Sequence, residues 1–366
     1  MKQTGIIIIL LLSSWATSSC SHGKGETADK AGDTIEMRYA ELLEIIRYKD
    51  YTKVTIRDPW KSGRTLHTYE IRKPYRKMVV YTAIHTALFH ELGVTDHIAG
   101  VCDTKYITAQ WVHELCRTGK IIDCGNAMNP DIEKVIQAKP DAILLSPFEN
   151  SGGYGKVEEL GIPIIEAADY METSALGRAE WIKFYGILTG REREAERIFS
   201  AIEKKYNAVK RTNRKQNIKV LTDKKQGSAW YVPGGGSTFG QMIADAGGLY
   251  AFAGDKRSGS IPLSLETMIE KNLDADVWLI KYNSKNDLTL SELAKENDAY
   301  RMFKAFKKGN VYGCNTSYVP FYEEVPFHPE RLLEDYDRIF ASPDSAHGLR
   351  YYKRLKVGSI NSPNKQ

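Results

Sequence analysis

Short apolar runs alternate with amphipathic stretches along most of the chain, and that alternation predicts its elements. Lys77–Tyr81 (KMVVY) is apolar and β-branched and reads as a strand. Thr86–Leu92 (TALFHEL) reads as a helix closed by Gly93, and Ile98–Val101 as the next strand. Pro130-Asp131-Ile132-Glu133 opens a second helix, with proline near the first turn and acids at its positive end. Ile132, Val135 and Ile136 give that helix an apolar face, and Asp141–Ser146 (DAILLS) follows as a buried strand. Gly161–Ile165 (GIPII) is another strand. Strands alternating with helices predict a parallel sheet covered on both faces.

The second half repeats the plan. Ile218–Thr222 (IKVLT) is a strand, and Phe239–Ala246 (FGQMIADA) a helix ended by Gly247-Gly248. Pro262–Glu266 opens a further helix with Ser264 as N-cap, and Ala275–Ile280 (ADVWLI) is the buried strand after it. Glu133 before DAILL therefore has a counterpart in Glu266 before DVWLI. Between the halves, Glu172–Asn213 is rich in Ala, Leu, Glu, Lys and Arg and lacks proline. Its helical stripe, with Gly190 as a break or kink, predicts a long linking helix, a stiff strut between two α/β lobes.

The amino terminus adds an address. Lys2, the apolar run Ile6–Leu12 and the small residues before Cys20 form a processing segment too short to span a bilayer. It resembles a bacterial lipoprotein signal, which implies lipidation of Cys20 and cleavage before it; the plainer alternative is a secretory signal cleaved after a small residue. The next residues, 21–34, are polar and read as a tether. Net charge is +5, but Lys and Arg are interspersed with acids, which disfavours nucleic-acid binding. The remaining cysteines, Cys102, Cys116, Cys124 and Cys314, contain no C-x-x-C pair, so a zinc ribbon is disfavoured; buried thiols and a disulfide both stay open.

Three further segments carry a resemblance to a family. His85–Val101 (HTALFHELGVTDHIAGV), Asp123–Ser146 and the stretch from Gly161 to Phe199 are similar to the substrate-binding proteins of ABC importers for iron–siderophores, haem and cobalamin. In the second half, PLSLETMIEKNLDADVWLI is similar to that family's Ser-x-Glu helix and strand. The resemblance covers roughly residues 75–345. It implies two Rossmann-like lobes with central parallel sheets joined by one long helix: a lobe at 35–172, the helix at 173–213, a lobe at 214–345 and a tail at 346–366. Residues 33–76 are read only as extra strands at the edge. It also implies a periplasmic, lipid-anchored receptor that captures a metal chelate and delivers it to a permease. A ferric siderophore ranks first, then cobalamin, then haem, with no cofactor and no covalent chemistry. Glu133 and Glu266 match the family's permease-docking glutamates; the alternative is two first-turn acids that complement helix dipoles.

Ligand contacts are expected in the cleft between the lobes, in loops beyond strand carboxyl ends. Tyr106 and Trp111 follow one strand, Trp230 and Tyr231 another; Lys256 and Arg257 precede the Glu266 helix, and Tyr318 lies in a late loop. Aromatic walls suit a large chelate and an arginine suits its anionic groups. The alternative is a set of rim aromatics that pack on the lobes. No P-loop, H-E-x-x-H or G-x-S-x-G motif occurs. The glycine-rich Gly234–Gly240 fits no nucleotide fingerprint and reads as a tight turn. Scattered histidines disfavour a bare-metal binder. A secreted lipoprotein enzyme on the same scaffold is the rival reading, and no convergent catalytic set supports it.

Overall fold

The computed structural model describes residues 32–149, 153–212 and 217–358. The signal segment and Cys20 lie outside the described residues. Two α/β lobes follow. In the N-terminal lobe, five parallel strands run in the order Ile164–Glu166, Ala142–Leu145, Met78–Val80, Ile98–Val101 and Ile122–Asp123. Ala142–Leu145 is buried along its whole length. Ile143 and Leu145 join the apolar cluster on one face, and Ala142 and Leu144 the cluster on the other, as a two-residue period requires. The C-terminal lobe has the order Gly248–Tyr250, Ile218–Thr222, Val277–Tyr282, Val311–Asn315 and Lys353–Arg354. The first four are parallel and the last is antiparallel. The expected C-terminal tail is thus part of this lobe, with Tyr351, Tyr352 and Leu355 buried. No helix among the described residues is long and apolar enough to cross a membrane.

The link between the lobes differs from the single strut expected over 173–213. It consists of helices Ala175–Glu180, Ile182–Thr189 and Glu192–Thr212. Gly190 adopts a left-handed φ of 71°, which stops the second helix. The chain then folds back closely: a Cβ on Gly186 would lie 2.6 Å from that of Ala195. Only the third helix is long, and it packs against Pro329–Ala341 of the C-terminal lobe.

Residues 33–71 form a separate four-stranded antiparallel sheet, not an extension of the parallel one. Leu43, Ile45, Val54, Ile56 and Ile71 join its inner face to the main core. Two buried carboxylates hold the segment between its first two strands. Glu180 accepts the backbone N–H groups of Arg38 (3.0 Å), Tyr39 (2.8 Å) and Ala40 (3.0 Å). Glu172 accepts those of Glu41 and Leu42, both at 3.0 Å, and the Trp181 indole N–H at 2.8 Å. Cys102, Cys116, Cys124 and Cys314 are free thiols; burial raises all four, Cys124 and Cys314 to about 12.

Candidate functional site

Parallel strands end together, so each lobe gathers its strand-to-helix loops at one edge. In the N-terminal lobe this edge holds a cavity of ≈ 880 Å³. Tyr81 and Thr82 follow Met78–Val80 into it; Leu145 ends Ala142–Leu145, and Ser146 and Phe148 follow it. Met128 on one side and Tyr154 with Lys156 on the other complete its wall. The lining mixes aromatic and apolar side chains with the polar Thr82, Asn129, Asp131, Glu133, Ser146 and Lys156, groups able to orient a small-molecule ligand.

Behind the wall lies a buried polar network. Thr82 caps helix Ala83–Glu91, and its hydroxyl lies 2.8 Å from His85 Nδ1. His85 Nε2 is 3.1 Å from Asp169 Oδ1 and 2.7 Å from the Tyr185 hydroxyl. Arg178 donates to the other Asp169 oxygen at 3.0 Å. Burial pushes the Asp169 carboxyl up, but Arg178 and His85 outweigh it and the net direction is down. Tyr185 sits on the linking helices and meets Phe327 of the C-terminal lobe edge-on at 5.5 Å. Through Thr82, which lines the cavity, this network connects the cavity to the link between the lobes.

A second cavity, of ≈ 470 Å³, lies between the lobes. Trp111 lines it and stacks on His90, with ring centroids 4.7 Å apart. The Thr108 N–H donates to Glu323 at 2.6 Å, so the two lobes are hydrogen-bonded here.

The expected contact residues do not converge in one place. Trp230 is a correction: it is 0% exposed and packs against Trp278, Tyr300 and Phe303. Its strand Ala229–Pro233 pairs with Ser260–Leu263, and in the strand's alternation Trp230 takes the inner face and Tyr231 the outer. Tyr231 is 47% exposed, Tyr106 67% and Tyr318 62%. Tyr318 donates its hydroxyl to the Lys285 carbonyl. Arg257 is exposed and forks onto Asp255 at 2.5–3.1 Å. Glu133 and Glu266 are both exposed in the first turns of their helices, two residues after caps Asp131 and Ser264. Hydrogen bonds from its own backbone N–H and from Ser264 hold the Glu266 carboxyl below its ordinary value. Glu133 also lines the large cavity.

Sequence reasoning missed Phe148, Met128 and Tyr154. The available signal was position: Phe148 comes two residues after the DAILLS segment, beyond its carboxyl end. In the C-terminal lobe, Asp223 follows the strand Ile218–Thr222 with a left-handed φ of 56° and pairs with Lys281 at 2.8 Å. Burial works against that ammonium, but Asp223 outweighs it and the lysine is raised. Among the described residues, no three His, Cys, Asp or Glu side chains are grouped to hold a metal ion.

Known proteins share this architecture. The chain is 31% identical over 255 residues to an uncharacterized lipoprotein, MJ0878, of Methanocaldococcus jannaschii, a match covering 66% of this chain and 60% of that protein. It is 22% identical to the petrobactin-binding protein YclQ of Bacillus subtilis, covering 85% and 90% respectively. The solved structure of the siderophore-binding protein BauB, bound to ferric iron and two acinetobactin molecules, superposes with a TM-score of 0.59. That match has 20% identity and covers 79% of this chain and 98% of the other. The sequence profile described as periplasmic binding protein matches residues 78–318, well over half of the chain. Two linked α/β lobes, with their loops gathered at strand carboxyl ends, thus belong to a member of the periplasmic binding protein family.

Proposed function

We propose that the protein is a lipid-anchored receptor that captures a metal chelate, a ferric siderophore first, and hands it to an ABC transporter permease. The observation that carries this reading is the ≈ 880 Å³ cavity at the strand ends of the N-terminal lobe. Its volume lies within the range of small-molecule sites, and its Tyr, Phe and Met lining offers flat, polarisable walls. Exposed Tyr106, Tyr231 and Tyr318, with Arg257, are further aromatic and cationic groups outside this cavity. Trp111 contributes from the inter-lobe cavity. Cobalamin and haem are the alternative ligands of the same class. Capture involves no covalent chemistry: stacking and desolvation supply affinity, and polar groups supply selectivity.

Glu133 and Glu266 are the docking groups in this reading. Two exposed carboxylates at matching points of two lobes set the register of the receptor on a two-fold permease. Cys20 carries the lipid.

The test is an equilibrium titration of purified protein with a ferric trihydroxamate, a ferric tricatecholate, cyanocobalamin and haemin, read by tryptophan fluorescence and absorbance. One probe binds with a Kd of about 1 μM or tighter, roughly 8 kcal/mol. Absence of binding by all four at about 100 μM contradicts the reading.

A further inference from the structure

The four-stranded sheet of residues 33–71 lies outside the segment matched by the family profile, residues 78–318. It nevertheless reaches the cavity wall. Its outer strand, Thr65–Ile71, places His67 and Tyr69 two residues apart, on one face. Both meet Glu166, the last residue of the edge strand Ile164–Glu166. His67 Nε2 pairs with one carboxylate oxygen, and the Tyr69 hydroxyl accepts the Glu166 backbone N–H at 3.0 Å. The other carboxylate oxygen accepts the hydroxyl of Tyr154, a residue of the cavity wall.

Tyr154 depends on such anchors. Gly153 and Gly155 flank it with φ of 99° and 55°, backbone that glycine enters freely. A six-residue 3-10 helix, Gly155–Leu160, begins only after it. Its backbone N–H is held by Glu158 at 2.7 Å, and its ring is fixed by Glu166. The Glu166 side chain is buried, so a partner lost there is not simply replaced by water.

We infer that the N-terminal sheet is a working part of the ligand site: through His67 and Glu166 it fixes the Tyr154 ring at the cavity wall and so sets which ligand fits. His67 and Glu166 are positioning residues in this arrangement, and Tyr154 is the contact. The inference rests on the cavity being the ligand seat.

Two readouts test it on the full processed chain. The first is hydrogen–deuterium exchange over residues 153–160 without ligand. The second is titration with the ferric trihydroxamate, ferric tricatecholate, cyanocobalamin and haemin. His67→Ala speeds exchange over that segment and weakens the tightest probe roughly three- to tenfold. His67→Gln, which keeps a donor at similar reach, restores most of both. In a Tyr154→Phe background, His67→Ala has no further effect on affinity, because the path runs through the phenol. A merely structural role of His67 would leave its effect undiminished in that background, and that result overturns the inference, as does unchanged exchange in His67→Ala. Phe148→Ala separates the two levels. If it weakens binding while His67→Ala does not, the sheet's role falls and the cavity stands. If neither Phe148→Ala nor Tyr154→Ala changes affinity, or no probe binds, the cavity reading falls and the inference with it.

Discussion

His328 Nε2 of the C-terminal lobe lies 2.7 Å from Glu91 Oε2 of the N-terminal lobe, while His328 Nδ1 lies 3.0 Å from Glu330. Arg331 bridges Glu324 and Glu330 beside it, and Arg350 pairs with Glu324. Burial opposes the charged ring, but Glu330 and Glu91 outweigh it and raise His328 above its ordinary value. A group raised on folding stabilises fully below its unfolded pKa, about 6.5, and loses that contribution as pH rises through the folded value. Wild type should therefore exceed His328→Gln in Tm most at acid pH, with the gap narrowing as pH rises. A gap that stays constant from pH 5 to 9 would show that the charge on His328 contributes nothing.

Trp230 is a core residue, with its indole N–H donated to the Thr222 carbonyl at 2.9 Å. Trp230→Ala should cost about 3–5 kcal/mol in chemical denaturation, as a large-to-small core change. Tyr231→Ala, on the exposed face of the same strand, should change stability by less than about 0.5 kcal/mol. Equal costs at the two positions would contradict the strand's assigned faces.

Glu180 holds three backbone N–H groups and the Lys183 ammonium at 3.0 Å. Glu180→Ala leaves the three backbone donors without their acceptor, while Lys183 keeps Glu196 and the Glu36 carbonyl, at a cost of about 1–3 kcal/mol for each donor that water does not reach. Limited proteolysis should then cut within residues 36–42 well before the rest of the chain. Protection equal to wild type would mean that the apolar face of the sheet holds it alone.

Cys20→Ser should release the protein from membranes and abolish the lipid mass increment. Persistence of both in the variant would rule out lipidation at Cys20.

The parallel strands were legible because a strand covered on both faces needs an unbroken apolar run, which DAILLS and DVWLI supply. The N-cap Ser264 was legible from local chemistry alone and accepts its helix's N–H as expected; Asp131, read only as an acid at the positive end of its helix, is the cap of that helix. Trp230 was misread because its face depends on pairing with Ser260–Leu263, some 30 residues away, which local pattern does not encode. The linking helix was overextended because residue type does not say whether Gly190 bends a helix or ends it; the left-handed φ decides that. Phe148 and Tyr154 escaped because they lie in a loop without periodicity. Their importance comes from which strand ends the fold brings together.

The delivery step carries the central claim, and Glu266 gives its cleaner test because Glu133 also lines the cavity. The direct measurement is ATPase activity of the reconstituted importer in proteoliposomes, stimulated by receptor loaded with its tightest chelate. Wild type should stimulate; Glu266→Ala should bind the chelate as wild type does yet stimulate several-fold less, and Glu133→Ala/Glu266→Ala less again. Full stimulation by the double variant at limiting receptor, or none by loaded wild type, would contradict the account.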